Sequence, residues 1–164
     1  MRLRPYRVTD YAYISKWIND ERSHVMWCAR LMPYPLTEDI FHGFLRSVAA
    51  ESGECGFVMS DDTGMPLGFC VIAVNDGDNS AFVRTIVVDS EKRGQGLGCA
   101  FLNLIQAYVF DICSVDTLHL NVFDVNPAAR RCYEKAGFIE DSYTPAAFEY
   151  KEEKWGRVHM VAHP

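Results

Sequence analysis

Nowhere in these 164 residues do two cysteines stand as a C-x-x-C pair. The six cysteines (Cys28, Cys55, Cys70, Cys99, Cys113, Cys132) are scattered and mostly lie in apolar runs, which reads as buried free thiols. The five histidines form no ligand-spaced cluster either, so no metal site is expected. No apolar run approaches the roughly 20 residues of a membrane span. The start, MRLRPYRVTDY, lacks the apolar segment of a secretory signal, so the expected address is cytoplasmic. Positive charge is also scarce, with 16 Lys and Arg against 22 Asp and Glu and a net charge of −6. That balance argues against a nucleic-acid partner and is compatible with a cationic small substrate. No repeat, low-complexity tract or Pro/Ser linker divides residues 1–164, which are expected to form a single domain large enough to bury a core.

What is present is a change of period along the chain. MRLRPYRV reads as a strand, and Thr9 as the cap of a helix with Tyr11, Ile14, Trp17 and Ile18 on one face. ERSHVMWCARLMPYP has no clean period and reads as a loop. A second helix opens at Thr37, with Glu38 and Asp39 in its first turn. Three strands follow: ECGFVMS and PLGFCVIAVN around the turn DDTGM, then SAFVRTIVVD. An amphipathic helix carries Leu97, Phe101, Leu104, Ile105, Tyr108 and Ile112. After the strand DTLHLNVF comes a short helix punctuated by Asn126 at its N-cap, Pro127 at its first position and Gly137 beyond its end. SYTPAAFEY and WGRVHMVAH close the chain as strands. The order β-α-α-β-β-β-α-β-α-β-β indicates a mixed α/β sheet.

Between strand and third helix stands EKRGQGLGCA, Glu91 to Ala100. It is not a dinucleotide fingerprint, because Gly94-Gln95-Gly96 is followed by Leu97, Gly98 and Cys99. It is not a Walker A loop, because no glycine in the chain precedes a lysine. What remains is R-x-x-G-x-G at Arg93, Gly96 and Gly98, at a junction where free amides and the positive end of a helix dipole meet. Glycines at 94, 96 and 98 remove side chains that would keep an anion from those amides. A phosphate or pyrophosphate held by backbone is the expected ligand.

At these residues the chain resembles the GNAT superfamily of N-acetyltransferases. IVVDSEKRGQGLGCAFL is similar to that family's pyrophosphate-binding motif, and NVFDVNPAARRCYEKAGF to its next signature, N-x-x-A-x-x-x-Y-x-x-x-G-F, at Asn126, Ala129, Tyr133, Gly137 and Phe138. The element order agrees over nearly the whole chain. The tail FEYKEEKWGRVHMVA more loosely resembles the branch that acetylates protein N-termini and small amines. The resemblance implies a mostly antiparallel twisted sheet of about seven strands with about four helices. It implies acetyl-CoA as co-substrate, its pantetheine arm on the backbone of Ile86, Val87 and Val88. The pyrophosphate would lie on Arg93, Gly94, Gln95, Gly96, Leu97, Gly98 and Cys99, with Asn126 both a cap and a cofactor contact. Transfer of another acyl group, and a CoA-binding regulatory module without turnover, stay open as alternatives.

The implied reaction is direct attack of a primary amine on the thioester in a ternary complex. Tyr133, in the family's tyrosine place, is the candidate acid for the departing thiolate. The base stays unassigned: the position where some members carry a Glu is Phe82 here, and Glu21, Glu140 and Asp141 are the carboxylates available. The acceptor, a small-molecule amine or a peptide N-terminus, is expected against residues 21–35 and the last two strands. Trp27, Tyr34, Tyr143, Phe148 and Trp155 would form aromatic walls there, beside Asp20, Glu21, Glu140 and Asp141. A homodimer stays open.

Overall fold

The computed structural model describes residues 1–164. Its strands are β1 (Arg2–Pro5), β2 (Cys55–Ser60), β3 (Pro66–Asn75), β4 (Ser80–Val88), β5 (Thr117–Phe123), β6 (Ile139–Tyr150) and β7 (Glu153–Ala162). Its helices are α1 (Tyr11–Ile14), α2 (Glu21–Cys28), α3 (Glu38–Ser52), α4 (Leu97–Ala107) and α5 (Pro127–Lys135). The strands form one sheet in the order β1-β2-β3-β4-β5-β7-β6. Every neighbouring pair is antiparallel except β4 and β5. No helix is long and apolar enough to cross a membrane.

The sheet separates two cores. Under α4 and α5, Phe101, Leu102 and Ile105 meet Val83, Leu118 and Met160. On the other face Ile14 of α1 and Phe41 of α3 meet Val58, Phe69 and Val87. Fully burying side chains of this size contributes roughly 1.5–3 kcal/mol each. A third cluster ties Val25 of α2 to Tyr150 and Trp155 of the last hairpin.

Two local expectations are corrected. Residues 21–28 form a helix rather than a loop, because Asp20 accepts a hydrogen bond from Ser23 N (2.9 Å) and His24, Val25 and Cys28 turn inward together. Thr9 caps nothing. The Asp10 carboxylate instead accepts from Arg7 N (2.7 Å) across a 3₁₀ turn at Val8–Asp10 and takes both Nη1 and Nη2 of Arg4 at 2.8 Å, and α1 is the single turn that follows. Elsewhere the punctuation works as read: Thr37 Oγ1 accepts from Ile40 N, and Asn126 Oδ1 from Ala129 N. Of the six free thiols, Cys28 and Cys70 are buried, Cys99, Cys113 and Cys132 partly buried, and Cys55 is exposed at the start of β2.

Candidate active site

The parallel strands β4 and β5 pair only at their beginnings, Ser80 with Thr117, Ala81 with Leu118 and Phe82 with His119. Beyond Phe82 they part. A bulge marks the departure: Thr85 and Ile86 together stand opposite Cys70 of β3, and Thr85 sits at φ 51°. A positive φ is costly for a β-branched residue, and a bulge increases the local twist. It also exchanges the faces of β4, since Val83 packs under α4 while Val87 packs under α3. Ile86 and Val88 are partly buried against the α4 side, so their side chains are packing, and the β4 edge turned away from β3 is left without a strand partner.

The gap holds a cleft of about 350 Å³. One side is β4 from Phe82 to Ile86, the other Asn121, Val122 and Phe123 of β5. Asn126, Ala129 and Tyr133 of the α5 segment also line it. Its far wall is the end of α2 with Trp27, then Leu31, Phe148 and Arg157. The cleft thus brings Ile86, Asn126, Tyr133, Trp27 and Phe148 together. It does not include Tyr34, Tyr143 or Trp155: Tyr34 tilts against His24, Tyr143 Oη donates to Asp124 (2.9 Å), and Trp155 is core beside Tyr150.

β4 runs into the glycine loop. Gly94 (φ 77°) and Gly96 (φ 79°) are left-handed, and a Cβ on either would stand in open space, so their requirement is conformational. Gly96 is the N-cap of α4 and offers no side chain, which leaves the first-turn amides of Leu97, Gly98 and Cys99 without a side-chain cap. Gly98 differs from the expectation. A Cβ there would lie 2.7 Å from Cys132 Sγ, so this glycine lets α4 approach α5. Arg93 and Gln95 are exposed; Arg93 Nη2 reaches only Trp17 O at 3.5 Å. Cys99 Sγ lies 3.7 Å from Cys132 Sγ, and burial followed by the Cys99 contact pushes the Cys132 thiol up to about 11.

Tyr133 is 9% exposed. Burial, and then the neighbouring Cys132, raise its hydroxyl well above the usual phenol range, so it stays protonated at neutral pH.

The expected carboxylates are engaged elsewhere. Asp20 caps α2, and Glu140 Oε2 accepts from Arg130 Nη2 (2.7 Å). Glu21 Oε2 accepts from Lys151 Nζ (2.9 Å) and Tyr150 Oη (3.3 Å), and the lysine contact holds its carboxyl below the usual range. Asp141 is exposed on β6. The charged side chains lining the cleft are Arg84, which is ion-paired with Glu54, and Arg157.

Two features escaped the sequence. Arg157, one charge among many in the tail, enters the cleft because β7 sets it opposite Phe123 of β5. Asn121 of the cleft accepts from His159 Nδ1 (2.9 Å). That bond leaves His159 Nε2 to accept from His119 Nδ1–H (3.1 Å) when both rings are neutral. Strand alternation on β5 and β7 could have placed 119, 121, 157 and 159 on one face, given the pairing. No group of three or more His, Cys, Asp or Glu is placed to hold a metal.

Residues 1–139 match the family model described as "Acetyltransferase (GNAT) domain". Among curated relatives, an aminoglycoside N(6')-acetyltransferase type 1 of Klebsiella pneumoniae is 28% identical over 141 residues, covering 79% of this chain and 69% of the relative. A spermidine N(1)-acetyltransferase of Vibrio cholerae is 24% identical over 149 residues, covering 90% and 84%. Among solved structures, spermidine N-acetyltransferase from Vibrio cholerae in complex with CoA and spermine superposes with a TM-score of 0.82 at 22% identity, over 98% of this chain and 94% of that one.

Proposed function

The chain belongs to the GNAT acetyltransferase family and is an acyltransferase, and we propose that it moves an acetyl group from acetyl-CoA to a primary amine by direct attack in a ternary complex. The observation that carries this is the parting of β4 from β5, with the uncapped α4 N-terminus at one end of the opened edge and Tyr133 in the cleft wall.

Acetyl-CoA supplies an activated thioester and a pyrophosphate. The pyrophosphate belongs on the bare amides and left-handed turn of Arg93 to Cys99, where the helix dipole favours an anion. The free backbone edge of Ile86, Val87 and Val88 takes the pantetheine arm as an added strand. That places the thioester near Asn126 and Tyr133. Asn126 Oδ1 is committed to Ala129 N, so its side-chain NH₂ is the group left for the cofactor.

Tyr133 acts on the departing sulfur. A free phenol is already about 1.5 pKa units above a thiol, about 2 kcal/mol uphill for full transfer, and burial widens that gap. Its role is therefore to donate a hydrogen bond to the developing thiolate. The amine must lose a proton, since at pH 7 only about one alkylammonium in a few thousand is neutral. Phe82 cannot accept that proton, and the cleft lining contains no carboxylate, so the proton leaves through solvent.

The test is release of free thiol from acetyl-CoA with and without a panel of amines. Amine-dependent release with N-acetylated product supports the proposal. Release that ignores the amine, or binding without turnover across the panel, would replace it with hydrolysis or a regulatory CoA-binding module. Faster release from a larger acyl-CoA would reassign the donor.

A further inference from the structure

We propose that the acceptor is a primary amine that carries a carboxylate on a short apolar stem, seated by Arg157. This choice of acceptor class rests on the N-acetyltransferase function proposed above.

The acceptor-facing half of the cleft is apolar, built from Trp27, Leu31, Phe123 and Phe148. Its charge is one-sided. Arg84 is matched by Glu54, but Arg157 forms no ion pair within the chain. Arg30 lies over the Phe148 ring at 4.9 Å and brings a second guanidinium to the rim. The nearby acids have partners: Glu21 pairs with Lys151, Glu153 with Arg22, and Asp124 accepts from the Tyr143 hydroxyl. An arginine without a carboxylate beside an apolar wall asks for an anionic group on the ligand.

Polyamines and other polycations are disfavoured by the same lining, since an added ammonium within the cleft meets guanidinium and no lining carboxylate. The net charge of −6 lies outside the cleft. It can attract an ammonium from a distance while the cleft selects the carboxylate, which suits a ligand bearing both. About 350 Å³ holds a stem of one ring beside the thioester.

The experiment compares kcat/KM for phenylalanine, phenylalaninamide, phenethylamine and spermidine by acetyl-CoA-dependent thiol release. Phenylalanine is expected to exceed each of the others by about tenfold or more, the scale of one charge-assisted contact. In Arg157→Gln the ratio of phenylalanine to its amide should fall towards one, and Arg157→Lys should keep part of it. Arg157 is exposed, so both variants should fold, which circular dichroism checks. A better rate with spermidine or the amide, or an unchanged ratio in Arg157→Gln, overturns the assignment. If no member of the set turns over, titration of the enzyme–CoA complex with phenylalanine decides: binding weakened by Arg157→Gln supports the assignment, and no binding overturns it. Acetylation of cations alone would remove only the acceptor class, whereas failure to bind acetyl-CoA would remove the function beneath it.

Discussion

Cys132 Sγ stands 2.7 Å from the position that a Cβ on Gly98 would occupy. α4 and α5 therefore meet through a glycine and a thiol, and this contact fixes the glycine loop relative to the Tyr133 helix. Gly98→Ala should overpack the joint by about 1–3 kcal/mol, against at most about 1 kcal/mol gained from helix propensity. In a Cys132→Ala background the same change should become neutral or stabilising. Denaturant midpoints of the four proteins check this, and equal effects of Gly98→Ala in both backgrounds would show that Cys132 does not set the spacing.

Tyr133→Phe keeps the ring that packs 6.1 Å from Phe138 and removes only the hydroxyl. Turnover should fall by about 10²–10³-fold, the cost of one lost donor to a developing anion, while KM for acetyl-CoA changes little. Pre-steady-state kinetics should first establish that chemistry limits the rate. Near-normal turnover under that condition would return Tyr133 to a packing role.

His119 gives the fold a pH dependence. Burial first, then the stacked His159 ring 5.2 Å away, lowers its pKa below the ordinary 6.5, and Asp78 and Asp141 oppose the shift. Below 6.5 the unfolded imidazole takes up a proton before the folded one does, so the unfolded state binds more protons. The stability His119 contributes is full above the unfolded value and is lost as pH falls towards the folded one. The melting temperature should drop on acidification from about pH 8 to about pH 5, and less steeply in His159→Asn. Parallel curves for the two proteins would show that the pair is not the cause.

The elements with local punctuation were legible in the sequence. α5 announces itself through Asn126, Pro127 and Gly137, and α3 through Thr37 with Glu38 and Asp39 in its first turn. α2 was hidden because it ends on Ala29 (φ 49°) and Arg30 (φ 62°), left-handed residues that are not glycine, and because it rests on Trp155 and Tyr150 far along the chain. The motif residues around Arg93 and Tyr133 could be named from the sequence because spacing along one segment carries them. The cleft's charge could not. Arg157 and the His119–Asn121–His159 line depend on which strands pair, and the departure of β4 at Thr85 has no glycine to mark it.

The proposed acetyl-CoA site depends most on the α4 N-terminus as the seat of the pyrophosphate, where the first-turn amides carry no side-chain cap. Gly96→Asp and Gly96→Asn impose the same backbone strain at φ 79° and differ by one charge. Calorimetric titration with acetyl-CoA should show the aspartate variant about 100-fold weaker than the asparagine variant, equivalent to about 2.7 kcal/mol, with both proteins folded. Equal affinities for the two variants would contradict the seat.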